Sequence, residues 1–415
     1  MAKVLVVGGG GREHAIVHAL SKSKKVDEIY AAPGNAGIAK LAMCVNIKDT
    51  EVDKIVEFAK AEKIDLVVVG PEASLSLGII DRLEAENIKA FGPRKNAALI
   101  ESSKNFAKDL MNKYNIPTAR YETFENYDEA IEFVKISPFP TVIKYDGLAA
   151  GKGVVIAENF EEAEKALKDM LLDDKFGKGK VVIEEYLEGM EFSFMCFVDN
   201  DKVYPLEMAQ DHKRAFDNDM GPNTGGMGAY SPLPFITEDD YNYALNEIMI
   251  PTAKALVNED SPFKGVLYGG LMKTKKGIKV IEFNCRFGDP ETEVVLPRLT
   301  SDIYDAFMAI VDGKEPLLTW DDNYSIGVVL ASKGYPGDYK KGFVIENADT
   351  DDIYHMGTKI DEDGNLVTNG GRVLFVVALA KTLEEANKLA NERVSKIKCE
   401  NLFHRTDIGA KAFRK

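Results

Sequence analysis

The sequence predicts an α/β protein, α+β in parts, that opens with a doubly wound parallel sheet. Three observations carry this. The first hundred residues alternate strand and helix patterns. Their strands are continuous apolar runs, as strands buried on both faces should be. The chain has 415 residues, 45% hydrophobic and 29% charged, an ordinary globular composition long enough for two to four domains of roughly 100–200 residues each.

Residues 4–7 form the first buried strand, followed by glycines and a helix pattern over 12–21. A short strand at 29–31 runs into Pro33-Gly34-Asn35. A helix over 52–61 precedes the apolar strand 66–69, which ends at Gly70-Pro71-Glu72. A last strand at 89–91 ends at Gly92-Pro93. Such a series of βαβ units gives a parallel sheet with right-handed crossovers. Open α/β sheets bind ligands at the carboxyl ends of their strands. Loops 8–11, 33–35 and 70–72 are therefore expected to converge on one crevice.

From about residue 101 the character changes. Residues 102–114 read as a helix, 141–144 and 153–157 as strands around 145–152, 160–172 as a helix and 181–184 as a strand. Residues 191–197 and 202–208 pattern as a hairpin turning at 199–201. Residues 221–234, rich in Gly, Pro, Ser and Asn, read as a long irregular loop of the kind that forms lids. A helix is expected over 241–257 and strands over 265–273 and 279–286. After about residue 324 a smaller α/β segment follows, with strands at 325–331 and 373–380 and a helix over 382–397.

Lys and Arg number 52 against 67 Asp and Glu, a net charge of −15. That balance disfavours nucleic acid and anionic membranes as partners. The four cysteines, Cys44, Cys196, Cys285 and Cys399, are scattered without a C-x-x-C pair, as suits free thiols in a reducing compartment. No apolar run approaches the roughly 18 residues of a membrane span. The start reads as a strand running into glycines rather than a signal peptide. A cytoplasmic protein is the expectation.

The run Gly8-Gly9-Gly10-Gly11-Arg12-Glu13-His14 follows the first strand. Glycines let the backbone approach an anion where a helix start offers free N–H groups. No register gives G-x-G-x-x-G, and the second strand ends at Ala31-Ala32-Pro33 without an acidic residue for a ribose hydroxyl, so a dinucleotide reading fares badly. A phosphate or phospho-sugar site is the better reading, set against a ligand-free tight turn. In Lys144-Tyr145-Asp146-Gly147-Leu148-Ala149-Ala150-Gly151-Lys152-Gly153 the glycine spacing is not that of a Walker loop. A small-residue hairpin with a lysine at each end can fold over a polyphosphate; a solvated hairpin with surface lysines is an equal alternative.

On a strand, Glu282, Asn284 and Arg286 share one face, with Ile281, Phe283 and Cys285 directed into the core. A carboxylate and an amide oxygen two residues apart suit a hard cation such as Mg²⁺ beside nucleotide phosphates. The arginine beyond them can neutralise a phosphoryl group or clamp a carboxylate. The alternative is the polar face of an edge strand. Val182-Ile183-Glu184-Glu185-Tyr186-Leu187 is a strand leaving the core, whose backbone could meet an adenine edge with Glu191 on a ribose hydroxyl; an ordinary strand end is the commoner reading. Asp211-His212-Lys213-Arg214 before the glycine-rich segment suggests a substrate clamp and lid, against a solvated charge cluster. His212 receives no role. His14, His18, His355 and His404 show no metal-ligand spacing, and His14 stands near enough to the glycines to contact a ligand.

In this order the motifs resemble the phosphoribosylamine–glycine ligase family of the ATP-grasp superfamily. The resemblance runs through essentially the whole chain. It is most specific in Glu282-Phe283-Asn284-Cys285-Arg286-Phe287-Gly288-Asp289-Pro290-Glu291 and in Gly221-Pro222-Asn223-Thr224-Gly225-Gly226-Met227-Gly228-Ala229-Tyr230-Ser231-Pro232. It implies a Rossmann-like substrate domain over 1–101, an ATP-grasp domain over 102–324 with a flap subdomain near 121–189, and a C-terminal α/β domain over 325–415. It implies ATP-dependent joining of glycine to 5-phosphoribosylamine through a glycyl phosphate, giving glycinamide ribonucleotide, ADP and phosphate in purine synthesis. The divalent cofactor would be Mg²⁺ or Mn²⁺, and the chain a monomer or weak oligomer.

By the same likeness Lys104, Lys144 and Lys213 would approach the ATP phosphates. Glu184, Glu185 and Leu187 would lie at the adenine and Glu191 at the ribose. Glu282 and Asn284 would hold the metal. Arg286 would sit at the acyl phosphate and Asp211 near the glycine amine, with Arg286, Asp211 and Lys144 as the catalytic set. The phosphoribosylamine would lie along Gly9, Gly10, Gly11, Gly34, Asn35 and Glu72, so the first-domain crevice should face the nucleotide cleft. A carboxylase of the same superfamily would share the ATP residues but not the 211–232 segment. A nucleotide sensor would lack some ligands, and none is missing.

Overall fold

The computed structural model describes residues 1–147, 153–173 and 175–413. Of the lysine-flanked hairpin motif, residues 148–152, including Gly151 and Lys152, lie outside the described residues. The N-terminal sheet has five parallel strands in the order Met43–Cys44, Val26–Pro33, Ala2–Gly8, Leu66–Val69, Ala90–Phe91. Its central strand pairs Val4 with both Ile29 and Leu66. Val4, Leu5, Val6 and Val7 are all fully buried, which explains their unbroken apolar run. The helices Gly11–Ser21 and Val52–Ala61 match the expected spans closely.

The next unit carries two antiparallel four-stranded sheets. One, in the order Tyr121–Phe124, Val181–Glu185, Thr141–Tyr145, Val154–Ala157, is backed by helices Tyr127–Ile136 and Phe160–Leu171. It has a core of its own, including Val134, Ile143, Leu167 and Ile183. The other runs Lys202–Pro205, Gly189–Asp199, Lys264–Thr274, Gly277–Asn284. A six-stranded sheet follows, in the order Gln210–Asp211, Gly228–Ser231, Tyr324–Ser332, Arg372–Ala380, Ile353–His355, with Leu402–Phe403 added on Tyr324–Ser332. Helix Leu383–Val394 packs against it.

Four expectations are corrected. Residues 221–234 are not one irregular loop: Met220–Asn223 pairs with Arg214–Phe216, and Gly228–Ser231 enters the six-stranded sheet beside Tyr324–Ser332. That pairing needs glycine at 228, whose φ is +159° and whose Cβ would lie 2.6 Å from the Gly327 carbonyl oxygen. The helix expected over 102–114 runs from Lys104 to Lys113 and a separate short helix, Leu99–Ser102, precedes it, because Ser103 is extended and its hydroxyl caps the longer helix at the Phe106 N–H, 3.1 Å away. The 241–257 helix contains a wide-turn segment, Ala244–Met249, between Glu238–Tyr243 and Ile250–Asn258. Pro251 cannot donate to the carbonyl four residues back, so the ladder widens ahead of it.

The fourth correction touches the site. The strand Gly277–Asn284 carries a bulge opposite Gly270 and Leu271, which face Glu282 and Val280. The extra residue, Ile281, shifts the alternation by one. Val280, Phe283 and Cys285 are buried in the core, but Ile281 is only half-buried. Its carbonyl accepts from Lys144 Nζ at 3.1 Å. The strand ends at Asn284, so Arg286 lies just past it.

No helix among the described residues is long and apolar enough to cross a membrane. In the C-terminal sheet Gly327 leaves no room for a side chain: an added Cβ would meet the Phe375 ring at 1.9 Å. Both residues belong to the paired strands Tyr324–Ser332 and Arg372–Ala380. Gly327→Ala is expected to destabilise the protein by about 1–3 kcal/mol through overpacking. A lowered denaturation midpoint, partly restored by adding Phe375→Leu, is the readout; an unchanged midpoint would sink this account.

Candidate active site

The three glycine-bearing loops of the parallel sheet do converge. Gly34 donates to the Gly8 carbonyl at 3.1 Å, and Gly9 approaches Gly34 so closely that a Cβ would meet its carbonyl at 2.5 Å. Gly70 crowds Glu13 in the same way, a Cβ there falling 1.9 Å from Glu13 Oε1. Glu13 Oε2 accepts the Gly10 N–H at 2.7 Å and Oε1 accepts from Arg12 Nε at 2.6 Å. Asn35 is wholly engaged in scaffold bonds: its amide donates to Gly9 and His355 carbonyls at 2.9 and 2.8 Å and accepts from Gly37 and Ile38. It shapes the loop rather than offering a free side chain. His14 is buried against the C-terminal unit, its Nδ1 accepting the His355 N–H at 2.7 Å, so it turns away from the crevice. Burial and the neighbouring His355 push its pKa down to about 3.

Arg286 is where the first unit meets the second. Its Nε reaches Glu72 Oε2 at 3.3 Å, its Nη2 reaches Glu101 Oε1 at 2.9 Å and Asn284 Oδ1 at 3.2 Å, and its Nη1 donates to the Phe287 carbonyl. Glu101 also accepts the Cys285 N–H at 2.8 Å. Arg12 adds a bond to the Phe287 carbonyl at 3.1 Å. Burial raises the Arg286-bound Glu101, against the pull of the guanidinium. Glu72 is also penalised by burial, but the charges of Arg286 and Arg12 hold it below its ordinary range. The first-domain crevice thus faces the strand that carries Glu282 and Asn284.

The lysines lie on the other side of that strand end. Lys144 and Lys108 both grip Glu184, at 2.9 and 3.0 Å, and all three are nearly fully buried. The Glu184 carboxylate is therefore occupied by two lysines, and its main chain is laddered on both sides; the adenine reading of this residue loses its side chain. Burial pushes Lys108 down to about 8, with Glu184 opposing. Lys104 donates to the Gly147 carbonyl at 2.9 Å. Glu185 binds Lys279 at 2.8 Å and the Arg120 N–H at 3.1 Å. Leu187 is half-buried in the link between Val181–Glu185 and Gly189–Asp199. Glu191 pairs with Lys213. Glu282 is disfavoured as an anion by burial, yet Lys213, Lys144, Lys104 and Arg286 together hold its pKa below the ordinary value.

Asp211 is buried at the end of Gln210–Asp211. Burial raises its pKa to about 7, with Lys213 opposing and Glu291 and Glu191 reinforcing. Glu291 closes this corner, its Oε1 accepting from Ser193 Oγ at 2.9 Å and Tyr268 Oη at 2.5 Å. Glu293 is fully buried beside Gly11, where a Cβ would fall 2.4 Å from its Oε1, and neither oxygen has a hydrogen-bond partner among the described residues. Burial and Asp289 raise it well above the carboxylate range.

Sequence reasoning missed Glu13, Glu101, Lys108, Glu291 and Glu293. Lys108 had a signal, four residues after Lys104 and so on the same helix face. Glu291 lay inside the most specific motif. Glu101 had none, since its partner is nearly two hundred residues away. Among the described residues no three or more His, Cys, Asp or Glu gather in a metal-binding group. Glu282 and Asn284 supply one carboxylate and one amide oxygen, the hard donors a divalent ion takes when phosphates complete its shell. The four cations around Glu282 favour its anionic form, as such a donor requires.

Residues 2–101, 102–292 and 325–411 match three families described as phosphoribosylglycinamide synthetase N domain, ATP-grasp (A) domain and C domain. A phosphoribosylamine–glycine ligase of Halalkalibacterium halodurans is 55% identical, over 99% of this chain and 97% of the relative. One from Escherichia coli O157:H7 is 46% identical over 100% and 99%. The crystal structure of a Thermotoga maritima phosphoribosylamine–glycine ligase superposes with a TM-score of 0.87 at 35% identity, covering 98% of this chain and all of that one. A Hydrogenobacter thermophilus biotin carboxylase domain, solved with MgADP, shares the fold at 18% identity and a TM-score of 0.72, over 97% of this chain and 91% of that one. With three consecutive domain matches and full-length identity of this order, the chain belongs to the phosphoribosylglycinamide synthetase family, enzymes of the ATP-grasp fold.

Proposed function

We propose how this chain performs the phosphoribosylamine–glycine ligase reaction of purine biosynthesis, with Arg286 at the junction of its two half-sites. Glycine's carboxylate is a poor acyl donor to an amine. An oxygen of that carboxylate takes the γ-phosphoryl group of ATP, ADP leaves, and a glycyl phosphate forms. The nitrogen of 5-phosphoribosylamine then attacks the acyl carbon, the C–O bond to phosphate breaks, and the nitrogen loses a proton to give glycinamide ribonucleotide. Phosphoryl transfer of this kind asks the protein for positioning and charge neutralisation rather than a covalent nucleophile.

The chain's cations meet that demand. Lys104, Lys144 and Lys213 neutralise the ATP phosphates, Glu185 and Leu187 border the adenine, and Glu191 releases Lys213 to take the ribose. The Glu184 side chain holds Lys108 and Lys144 in place. Glu282 and Asn284 would hold Mg²⁺ or Mn²⁺, which when bound would supply positive charge to the ATP phosphates. Asp211 receives the glycine ammonium, with Glu291 behind it. The phosphoribosylamine lies along the backbone of Gly9, Gly10, Gly11 and Gly34, near Glu72, while Asn35 fixes the loop. The observation that carries this reading is the shared guanidinium: Arg286 touches Glu72 of the sugar crevice and Asn284 of the nucleotide side at once.

We also propose functional units over 1–101, 102–324 and 325–415, with 121–189 as a flap. The separate core of the 121–189 sheet supports the flap. The chain would act as a monomer or weak oligomer.

Removing the metal carboxylate should be severe. Glu282→Ala is expected to lower turnover at least about 10²-fold, measured as ADP release with glycine and phosphoribosylamine at saturating Mg·ATP; near-normal turnover would remove Glu282 from the site. Arg286→Lys keeps a charge but loses the fork. It is expected to slow single-turnover chemistry about 10²-fold while nucleotide Kd stays within about threefold; a change in Kd alone would refute the assignment. The pKa of Asp211 gives a pH signature. Its ionised form is needed for the ammonium, so kcat/KM for glycine should rise with pH through about 7 and level off above it. Asp211→Asn should flatten that limb and raise KM for glycine; an unaltered profile would sink the role.

A further inference from the structure

The segment that carries Asp211 and Lys213 does not hold itself. Gln210–Asp211 pairs with Gly228–Ser231 in the six-stranded sheet, whereas Arg214–Phe216 pairs with Met220–Asn223 in a separate ribbon. His212 and Lys213 form the corner where the chain passes from one to the other. At this corner His212 donates its N–H to the Gly228 carbonyl at 2.9 Å and accepts the Met227 N–H at 2.8 Å. Its ring is fully buried beside Tyr230, centroid to centroid 6.1 Å.

A second stretch of chain, close to the C-terminus, is fastened along this corner and ribbon. Gly409 donates its N–H to His212 Nε2 at 3.1 Å. Arg405 donates to the Arg214 carbonyl at 3.0 Å and pairs with Asp219 at 3.1 Å. Thr406 binds both oxygens of Asp217, at 2.8 and 2.6 Å. Asp407 accepts the Asn218 N–H at 2.9 Å, and Lys411 pairs with Asp219 at 2.9 Å. The stretch is itself anchored: Ile408 is buried in the core, and its carbonyl accepts from Asn387 at 2.7 Å. Gly409 sits at φ +86°, a conformation glycine supplies.

We infer that residues 404–411 are a positioning element for the glycine half of the active site, acting on Asp211 through the bond from Gly409 N–H to His212 Nε2. This rests on Asp211 receiving the glycine ammonium. A ring nitrogen that accepts from a backbone N–H is unprotonated, so the His212 ring is neutral with its proton on Nδ1. The environment enforces that state: burial first, then the charges of Lys411 and Arg405, push its pKa down to about 3, against Asp219 and Asp407. Histidine is used here as a buried acceptor between two charged neighbours, which explains its place in Asp211-His212-Lys213-Arg214 without any contact to substrate.

The test compares variants of the full-length enzyme in steady-state kinetics with glycine varied, then ATP varied. His212→Phe removes the acceptor and should raise KM for glycine about tenfold, the size of one lost buried hydrogen bond, with KM for ATP within about twofold. His212→Gln can return an oxygen to the Nε2 position and should bring KM for glycine back within about threefold of the parent. Should His212→Phe fail to fold, Asp217→Ala loosens the same stretch from its exposed side and should raise KM for glycine about two- to threefold. Equal rises in both KM values, or no rescue by His212→Gln, would reduce His212 to a structural residue and overturn the inference. Asp211→Asn separates the two layers. If it leaves KM for glycine unchanged, the glycine reading falls; if it raises KM while His212→Phe does not, only the positioning role falls.

Discussion

A guanidinium mostly withdrawn from solvent at a seam between domains must find its counter-charges there, and the way Arg286 is satisfied fixes how the first unit meets the second. Glu72 comes from the start of a short helix in the parallel-sheet unit, Glu101 from the helix that leaves it, and Asn284 from the strand that ends at the seam. Glu101, buried against the guanidinium, is the least replaceable of these partners, since the half-exposed Glu72 can be compensated by water. The crevice of the parallel sheet is therefore registered against the end of the strand Gly277–Asn284 by one group, Arg286.

Around that seam the site is organised as alternating charge. Lys108, Lys144 and Glu184 form one closed set, and Lys213 with Glu191 another. Glu282 sits amid the cations without a hydrogen-bonded partner of its own among the described residues. In a low-dielectric cleft such sets hold long side chains at fixed positions before ligand arrives, which is the preorganisation phosphoryl transfer uses. The bulge at Ile281 serves the same end, since it frees a strand carbonyl to take Lys144.

Most of the fold was legible because its cause is local. Buried parallel strands announce themselves as apolar runs, and helix Val52–Ala61 as an amphipathic stripe. The failures have non-local or subtle causes. The pairing of Gly228–Ser231 with Tyr324–Ser332 depends on a strand a hundred residues away, and glycine-rich composition hides it. The bulge at Ile281 adds one residue, and a period-2 pattern cannot register that until the partner strand is seen. Of the proposed site residues, Glu282, Asn284, Arg286 and Asp211 were visible in motifs. Glu101 was not, because only the folded chain brings it to Arg286. The Glu184 pairing was not legible either, since nothing in Val182-Ile183-Glu184 says that two lysines close on its carboxylate.

The side chain of Glu13 occupies the space beneath the glycine loop that any side chain at Gly8 or Gly70 would need. It also takes the Gly10 N–H that starts the helix. These positions therefore cannot vary independently. A larger residue at 70 becomes tolerable only if Glu13 shortens, whereas Gly8 at φ +119° is held to glycine by its backbone as well; and shortening Glu13 uncaps the helix and frees Arg12. The loop behaves under substitution as a single interlocked unit of sequence, in which a change after one strand demands its compensating change after the neighbouring one.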